Sequence, residues 1–432
     1  MKKVLILNLT VIIVVIVVFF TGCCKFCKQT SKLCEPDKSV MAKKEERKLI
    51  ITFQPGISHE RQSDILDDFI NEDGAVTYIC PCDSELVMVD FTNSPLGTDS
   101  IHNHGNDKLG LDGNAYFDVV VTFEDILGSY KDSIAGYDTD YSVQNIVVAV
   151  IDAGIDKNME SLENHIWVNP NPEQFPNMDD PYGYDFTKWR RTSEEIDPHG
   201  TLVSQIIVDP NAEMGESVPA ADRDYIIKLL DARAFDETGK GYLFEVLCAM
   251  SYAIQKKVDI INMSWGFFSN DFETEQLMYK YIRRAKQNNI ILIASAGNSP
   301  DGPINTDITK RYPSGFNSLE YGYPGLVLSV ASLNSDRTGL ADYSNYGSNS
   351  IGIAAMEGIV RPESGIEETE SLQGTSFAAP VVTRKAAQLK ALNSGLSSEE
   401  IINCIMEVEK EDALKDKVIS QGELNTARIE CP

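Results

Sequence analysis

Val147-Val148-Ala149-Val150-Ile151-Asp152-Ala153-Gly154 is an apolar run that ends in a carboxylate and a glycine. An apolar stretch of this kind, with no polar alternation, reads as a strand buried on both faces, the habit of parallel sheets covered by helices. Working outward, similar runs recur at Tyr225–Leu229, Val258–Met263, Ile290–Ser295, Leu326–Ala331 and Ile351–Ala354. Between them, apolar residues at helical spacing predict helices from Gly200, over 242–257, over 272–288, and from Ser376 to Leu392. The alternation predicts an α/β body over 117–432, a parallel sheet with helices on both faces. In such sheets, sites form at the carboxyl ends of the strands.

Two further segments belong with the first. Asp197-Pro198-His199-Gly200-Thr201-Leu202-Val203-Ser204 places an imidazole at the start of a helix, and Gly374-Thr375-Ser376-Phe377-Ala378-Ala379-Pro380 places a hydroxyl at another. A serine hydroxyl becomes a nucleophile when a neighbouring imidazole takes its proton, and the imidazole needs a carboxylate to fix its tautomer and stabilise its charge. Taken singly, Asp152 also reads as a turn residue, His199 as a structural histidine, Ser376 as a helix cap and Asn298 as a left-handed turn residue. The chain order Asp, His, Ser joins them, because it is the order of the subtilisin triad.

Residues 117–432 thus resemble a subtilase, a subtilisin-like serine peptidase. Val150-Ile151-Asp152-Ala153-Gly154 resembles the aspartate motif, His199-Gly200-Thr201-Leu202-Val203-Ser204 the histidine motif, and Gly374–Pro380 the serine motif. Ala294-Ser295-Ala296-Gly297-Asn298 resembles the oxyanion-hole segment, and Tyr343-Ser344-Asn345-Tyr346-Gly347 a further landmark. The departures are Ala153, where a Ser or Thr is usual, and Ala355-Met356-Glu357-Gly358, where a Pro-Gly turn is common. The resemblance implies a subtilisin-like fold and a serine endopeptidase in which Ser376 attacks, His199 moves the proton, Asp152 supports His199 and Asn298 donates to the oxyanion. It implies an extended peptide substrate lying against Ser264-Trp265-Gly266 and Ser295-Ala296-Gly297, with Trp265 equally readable as core. No cofactor is required. Calcium sites are common in such proteins, but no local Asp cluster places one here.

Residues 48–91 form a separate pattern. Leu49–Phe53 reads as a strand, Ser58 as a helix cap, Ile65, Leu66, Phe69 and Ile70 as one helix face, and two strands follow at 75–80 and 85–91. Beside the resemblance, this small α+β unit is expected to be an inhibitory propeptide domain that the enzyme removes. The glycine- and asparagine-rich stretch 92–116 reads as an exposed, cleavable linker. Histidines His102 and His104 within it read as solvated.

The N-terminus is of another kind. Lys2-Lys3 precedes an apolar run from Val4 to Phe20 and then Thr21-Gly22-Cys23, which reads as a signal peptide over 1–22. Gly22-Cys23 resembles a lipoprotein processing site with Cys23 lipidated; the alternatives are an uncleaved signal anchor or release after maturation. Residues 23–47 read as a membrane-proximal tether, which places the body at the extracellular face of the membrane. A membrane-tethered subtilase with a small propeptide resembles the leader peptidases that trim lantibiotic precursors in Gram-positive bacteria; the competing reading is a broad-specificity surface protease, and a remote one an inactive scaffold.

The formal charge is −27, and it is uneven: residues 1–50 hold 10 basic and 4 acidic side chains, and the remainder nets −33. Such a surface repels phosphate backbones, which excludes nucleic acid as a partner. The acidity fits either solubility or a preference for basic or unacidic peptides. Nine cysteines, four of them at Cys23, Cys24, Cys27 and Cys34, do not spell a disulfide scaffold.

Overall fold

The computed structural model describes residues 41–122, 130–131, 144–190, 195–209, 225–317, 326–360, 372–426 and 431. The signal peptide over 1–22, Cys23 and the tether up to residue 40 lie outside them. Among the described residues no helix is long and apolar enough to cross a membrane.

The chain opens with a small antiparallel sheet: β1 (Lys44–Phe53), helix α1 (His59–Asn71), β2 (Val76–Cys80), β3 (Asp83–Asp90), helix α2 (Thr98–Leu109) and β4 (Gly113–Thr122). Ser58 caps α1 as expected, its Oγ accepting from Arg61 N–H at 3.2 Å. One face of the sheet, with Leu49, Ile51, Val87 and Val89, packs on α1 and α2. The other, with Ile50, Met88 and Val119, joins the core of the body.

Two sequence readings are corrected here. Residues 92–116 are no exposed linker: α2 occupies 98–109, and β4 pairs with β1 in the register Ile50↔Tyr116 and Ile51↔Ala115. The glycine content misled because Gly105 serves close packing, since a Cβ there would fall 2.6 Å from Leu49 Cδ1. His102 and His104 therefore lie on a helix, where His102 Nε2 meets the Ala115 carbonyl and His104 Nε2 meets Asp73. The tether likewise ends early, because Lys44–Arg47 belong to β1 and Met41 already bridges to Phe268. The unit spans 41–122, not 48–91, and the boundary expected at 117 falls inside β4.

The body is built on a seven-stranded parallel sheet of β5 (Gln144–Asp152), β6 (Gly183–Asp185), β7 (Tyr225–Arg233), β9 (Ile260–Met263), β11 (Ile291–Ser295), β13 (Leu328–Ser332) and β14 (Ile353–Ala355), ordered β14-β13-β11-β9-β5-β7-β6. The intervening short strands are β8 (Lys240–Tyr242), β10 (Phe267–Phe268) and β12 (Arg311–Tyr312). The alternation of side chains sorts the sheet residues into two cores. Ala149, Ile151, Leu230 and Met263 pack against helices α4 (Leu243–Gln255) and α5 (Phe272–Gln287). Ile146, Val148, Val150 and Ile293 pack against α3 (His199–Val208), α6 (Thr375–Leu392) and α7 (Ser398–Met406).

The small unit docks on α4 and α5. Strand β8 of the body pairs with β4, which makes a five-stranded sheet ordered β8-β4-β1-β3-β2. The Phe244 N–H, at the start of α4, donates to Asp118 Oδ1 at 3.2 Å, and Ser251 Oγ and Arg284 Nη1 donate to Asp83. Cys80 and Cys82 flank a hairpin turn with sulfurs 3.6 Å apart, and Cys82 Sγ reaches the Cys248 carbonyl. Those three thiols are free and buried, whereas Cys404 and Cys431 form a disulfide that the cysteine spacing does not announce.

Candidate active site

Asp152 ends β5, His199 begins α3 and Ser376 stands in the first turn of α6, all three buried. The helix start and the strand end approach closely: a Cβ on Gly200 would lie 2.4 Å from the Gly154 carbonyl oxygen and 3.1 Å from Asp152 Oδ1. Only glycine permits that approach, and it brings His199 Nδ1 to 2.8 and 3.0 Å from the two Asp152 oxygens. Ala153, despite lacking the usual hydroxyl, donates its backbone N–H to Asp152 Oδ1 at 2.8 Å. Asp197 accepts from the His199 backbone N–H at 2.9 Å, which anchors the turn into α3.

Ser376 is tied to the strand end after β9. Its hydroxyl donates to the Ser264 carbonyl at 3.1 Å, while the Ser264 hydroxyl donates to the Ser376 carbonyl at 2.8 Å. A buried chain continues behind this pair, with Asn262 Nδ2 donating to Ser264 Oγ and Thr383 Oγ1 donating to Asn262 Oδ1. The Phe377 ring sits 5.4 Å from the His199 ring, so α6 and α3 meet at the imidazole.

The segment 294–298 borders the same place. Asn298 Oδ1 accepts from Thr375 N–H at 2.9 Å, and Gly297 N–H donates to Thr375 Oγ1 at 2.9 Å. With its oxygen committed to Thr375, the Asn298 carboxamide has NH2 as its donor end. The Tyr343–Gly347 landmark buttresses this segment: Asn345 donates from its backbone to Gly297 O at 3.0 Å and from Nδ2 to Ala296 O at 3.3 Å.

The residues expected to face a substrate divide. Gly266 pairs antiparallel with Thr122, the last residue of β4, beside an open cavity of about 480 Å³ that Asn298 also borders. Of the two readings of Trp265, the core one holds for its indole, which is buried 5.8 Å from the Phe235 ring. Ser295 and Ala296 are buried, with Ala296 N–H held by the Val330 carbonyl. Glu357, in the segment where a Pro-Gly turn is common, holds the root of α6. Its Oε1 accepts from Gly374 N–H at 2.7 Å, from Ser332 Oγ at 2.9 Å and from the Tyr343 hydroxyl. Burial and this carboxylate together push the Tyr343 hydroxyl well above the usual tyrosine range. Among the described residues, no group of three or more His, Cys, Asp or Glu side chains could hold a metal ion.

Comparison with known proteins bears on the same region. Residues 143–422 match the subtilase family. Subtilisin-like protease 1 of Plasmodium berghei (strain Anka) is 29% identical over 310 residues, covering 66% of this chain and 49% of its own length. The halolysin-like extracellular serine protease Nep of Natrialba magadii is 28% identical over 297 residues, covering 66% and 47%. The major intracellular serine protease of Bacillus subtilis (strain 168) is 29% identical over 250 residues, covering 57% and 69%. The chain thus spans about half the length of the first two relatives. Two solved structures are also similar: a lanthipeptide protease, with a TM-score of 0.48, 21% identity and coverage of 65% and 85%, and the prenylagaramide maturation protease PagA, with 0.46, 23%, 65% and 90%. With the family match spanning well over half of the chain and the parallel sheet at its centre, this chain belongs to the subtilase family.

Proposed function

We propose that the chain is a serine endopeptidase with Ser376 as nucleophile, His199 as general base and acid, Asp152 as its support and Asn298 as oxyanion donor. The observation that carries this is the pair of contacts from His199 Nδ1 to Asp152 at the end of a buried strand, with Ser376 locked against Ser264 beside them. In this reading, Ser376 Oγ attacks a peptide carbonyl while His199 Nε2 takes its proton, and the C–N bond breaks as His199 returns that proton to the leaving amine. Water, deprotonated by His199, then cleaves the acyl ester and frees Ser376. Loss of an amide donor such as Asn298 costs about 10²–10³ in kcat, a magnitude carried over from subtilisin.

The unit 41–122 acts in this reading as an inhibitory propeptide, supported by its docking on α4 and α5 and by the pairing of Thr122 with Gly266. Its removal then needs a cut beyond Thr122, because the stretch 92–116 is folded into the unit. Release of leader peptides from lantibiotic precursors at the outer membrane face, with Cys23 lipidated, is the narrower form of the proposal, supported by the sequence of the N-terminus. Labelling by a fluorophosphonate that is abolished in Ser376→Ala is the expected result. Labelling that survives the substitution, or none in the mature protein, overturns the assignment. A leader peptidase is expected to leave casein intact and cut one modified precursor at one bond, whereas broad casein hydrolysis favours the surface-protease reading.

A further inference from the structure

Arg311 is a fully buried arginine beside the nucleophile's surroundings. It lies on β12, which pairs with β10 in the register Phe268↔Arg311. Its Nη1 donates to the Ser295 carbonyl at 2.8 Å. The two glycines nearest it come from the two segments that hold Ser376. A Cβ on Gly266 would fall 2.4 Å from the guanidinium carbon, and one on Gly297 would fall 2.3 Å from Nε. The guanidinium therefore fills the space where both wall residues lack side chains. Gly266 stands two residues past Ser264, which bonds Ser376, and Gly297 bonds Thr375, the residue before Ser376.

An extended peptide that continues the Thr122–Gly266 antiparallel register places the residue two positions further on opposite Ser264. Its side chain would enter the pocket between these two glycine walls, toward the buried Arg311 guanidinium that lies against both. We propose that Arg311 makes this pocket select an acidic side chain, glutamate or aspartate, on the residue preceding the scissile bond. A planar guanidinium matches a carboxylate by charge and by parallel N–H donors, and it repels lysine or arginine. The excess negative charge of the body argues the other way only at long range. Surface charges beyond roughly 8 Å are screened in physiological salt, whereas a buried cation in contact with the ligand is not. The proposal deepens the peptidase reading and rests on Ser376 being the nucleophile.

The test uses quenched peptides identical except for Glu, Gln, Leu or Lys before the cleaved bond, with cleavage located by mass spectrometry and rates normalised to fluorophosphonate-titrated sites. The wild-type enzyme is expected to favour Glu over Gln by roughly 10- to 100-fold in kcat/KM, the scale of one hydrogen bond to a charged group. Arg311→Gln is expected to bring that ratio close to one, and Arg311→Glu to favour Lys. In the chain's own sequence, Glu124 stands two positions after Thr122, so the self-processed protein is expected to begin at Asp125. Labelling and hydrolysis with no acidic preference overturn the assignment of Arg311 alone; absence of both overturns the peptidase reading as well. If the Arg311 variants do not fold, the wild-type Glu-to-Gln ratio and the mapped mature N-terminus still decide the matter.

Discussion

Glu357 shows how a single side chain governs another at a distance. One carboxylate oxygen takes three donors, among them the backbone N–H of Gly374, two residues before Ser376. Hydrogen bonds to a carboxylate are stronger than neutral ones, so this half-buried oxygen fixes where α6 begins. Glu357→Ala is expected to lower kcat by about 10- to 100-fold with KM little changed, because a misplaced nucleophile loses rate without losing substrate binding. Glu357→Gln, which keeps an accepting oxygen, is expected to recover most of the loss. Active-site titration followed by steady-state kinetics checks both, and full activity in the alanine variant would refute a positioning role. Asp152, His199, Ser376 and Asn298 are legible as candidates because each sits in a short contiguous motif. Glu357 is not, because its partner lies 17 residues away and is a backbone group with no side-chain signature.

Elements were legible where burial imposed a period. The runs that begin at Val147, Tyr225 and Ile290 emerge as β5, β7 and β11, with β7 running four residues beyond Leu229, because strands buried on both faces are apolar throughout. Helix α2 and strand β4 are not legible, for the opposite reason. In α2 few side chains face the core, Ile101 and Leu109 among them, and Gly105 does its packing by having no side chain. Gly105→Val is therefore expected to lift α2 from the sheet, since the new Cβ meets Leu49 Cδ1 at 2.6 Å and Ala115 Cβ at 3.1 Å. Overpacking of this kind costs about 1–3 kcal/mol. The measurement is thermal unfolding of full-length protein carrying Ser376→Ala, which prevents self-cleavage. A midpoint unchanged by the added Gly105→Val would mean that the close packing of α2 on the sheet contributes nothing to the stability of the unit.

Across the whole molecule, the two units meet over a contact that encloses a carboxyl group. Asp118, on β4, is fully buried against the start of α4. Burial pushes its carboxyl up to about 7, although the N–H groups of Phe244 and Val119 pull it down. Lys48 stabilises the charged form and Glu45 opposes it; the neighbouring Glu245 is raised by its own burial, with Asp118 adding to it, although Arg190 grips it through Nε and Nη2. In an undocked or unfolded chain the Asp118 carboxyl returns to its ordinary value near 3.8. The docked form thus binds more protons between about pH 4 and 7, so its contribution to stability is full below that window and lost as pH rises through 7, by up to about 1.4 kcal/mol per pH unit. Asp118→Asn removes the titration while keeping an accepting oxygen. In the Ser376→Ala background, the Asn variant is expected to unfold at a higher temperature than its parent at pH 8 and at nearly the same temperature at pH 4. A gap that stays constant across that range would show that Asp118 does not titrate on docking. A gap that closes with acid would mean that the small unit holds tightest in acid and loosens as the medium turns neutral, which under the proposed propeptide role makes its release a function of pH as well as of cleavage.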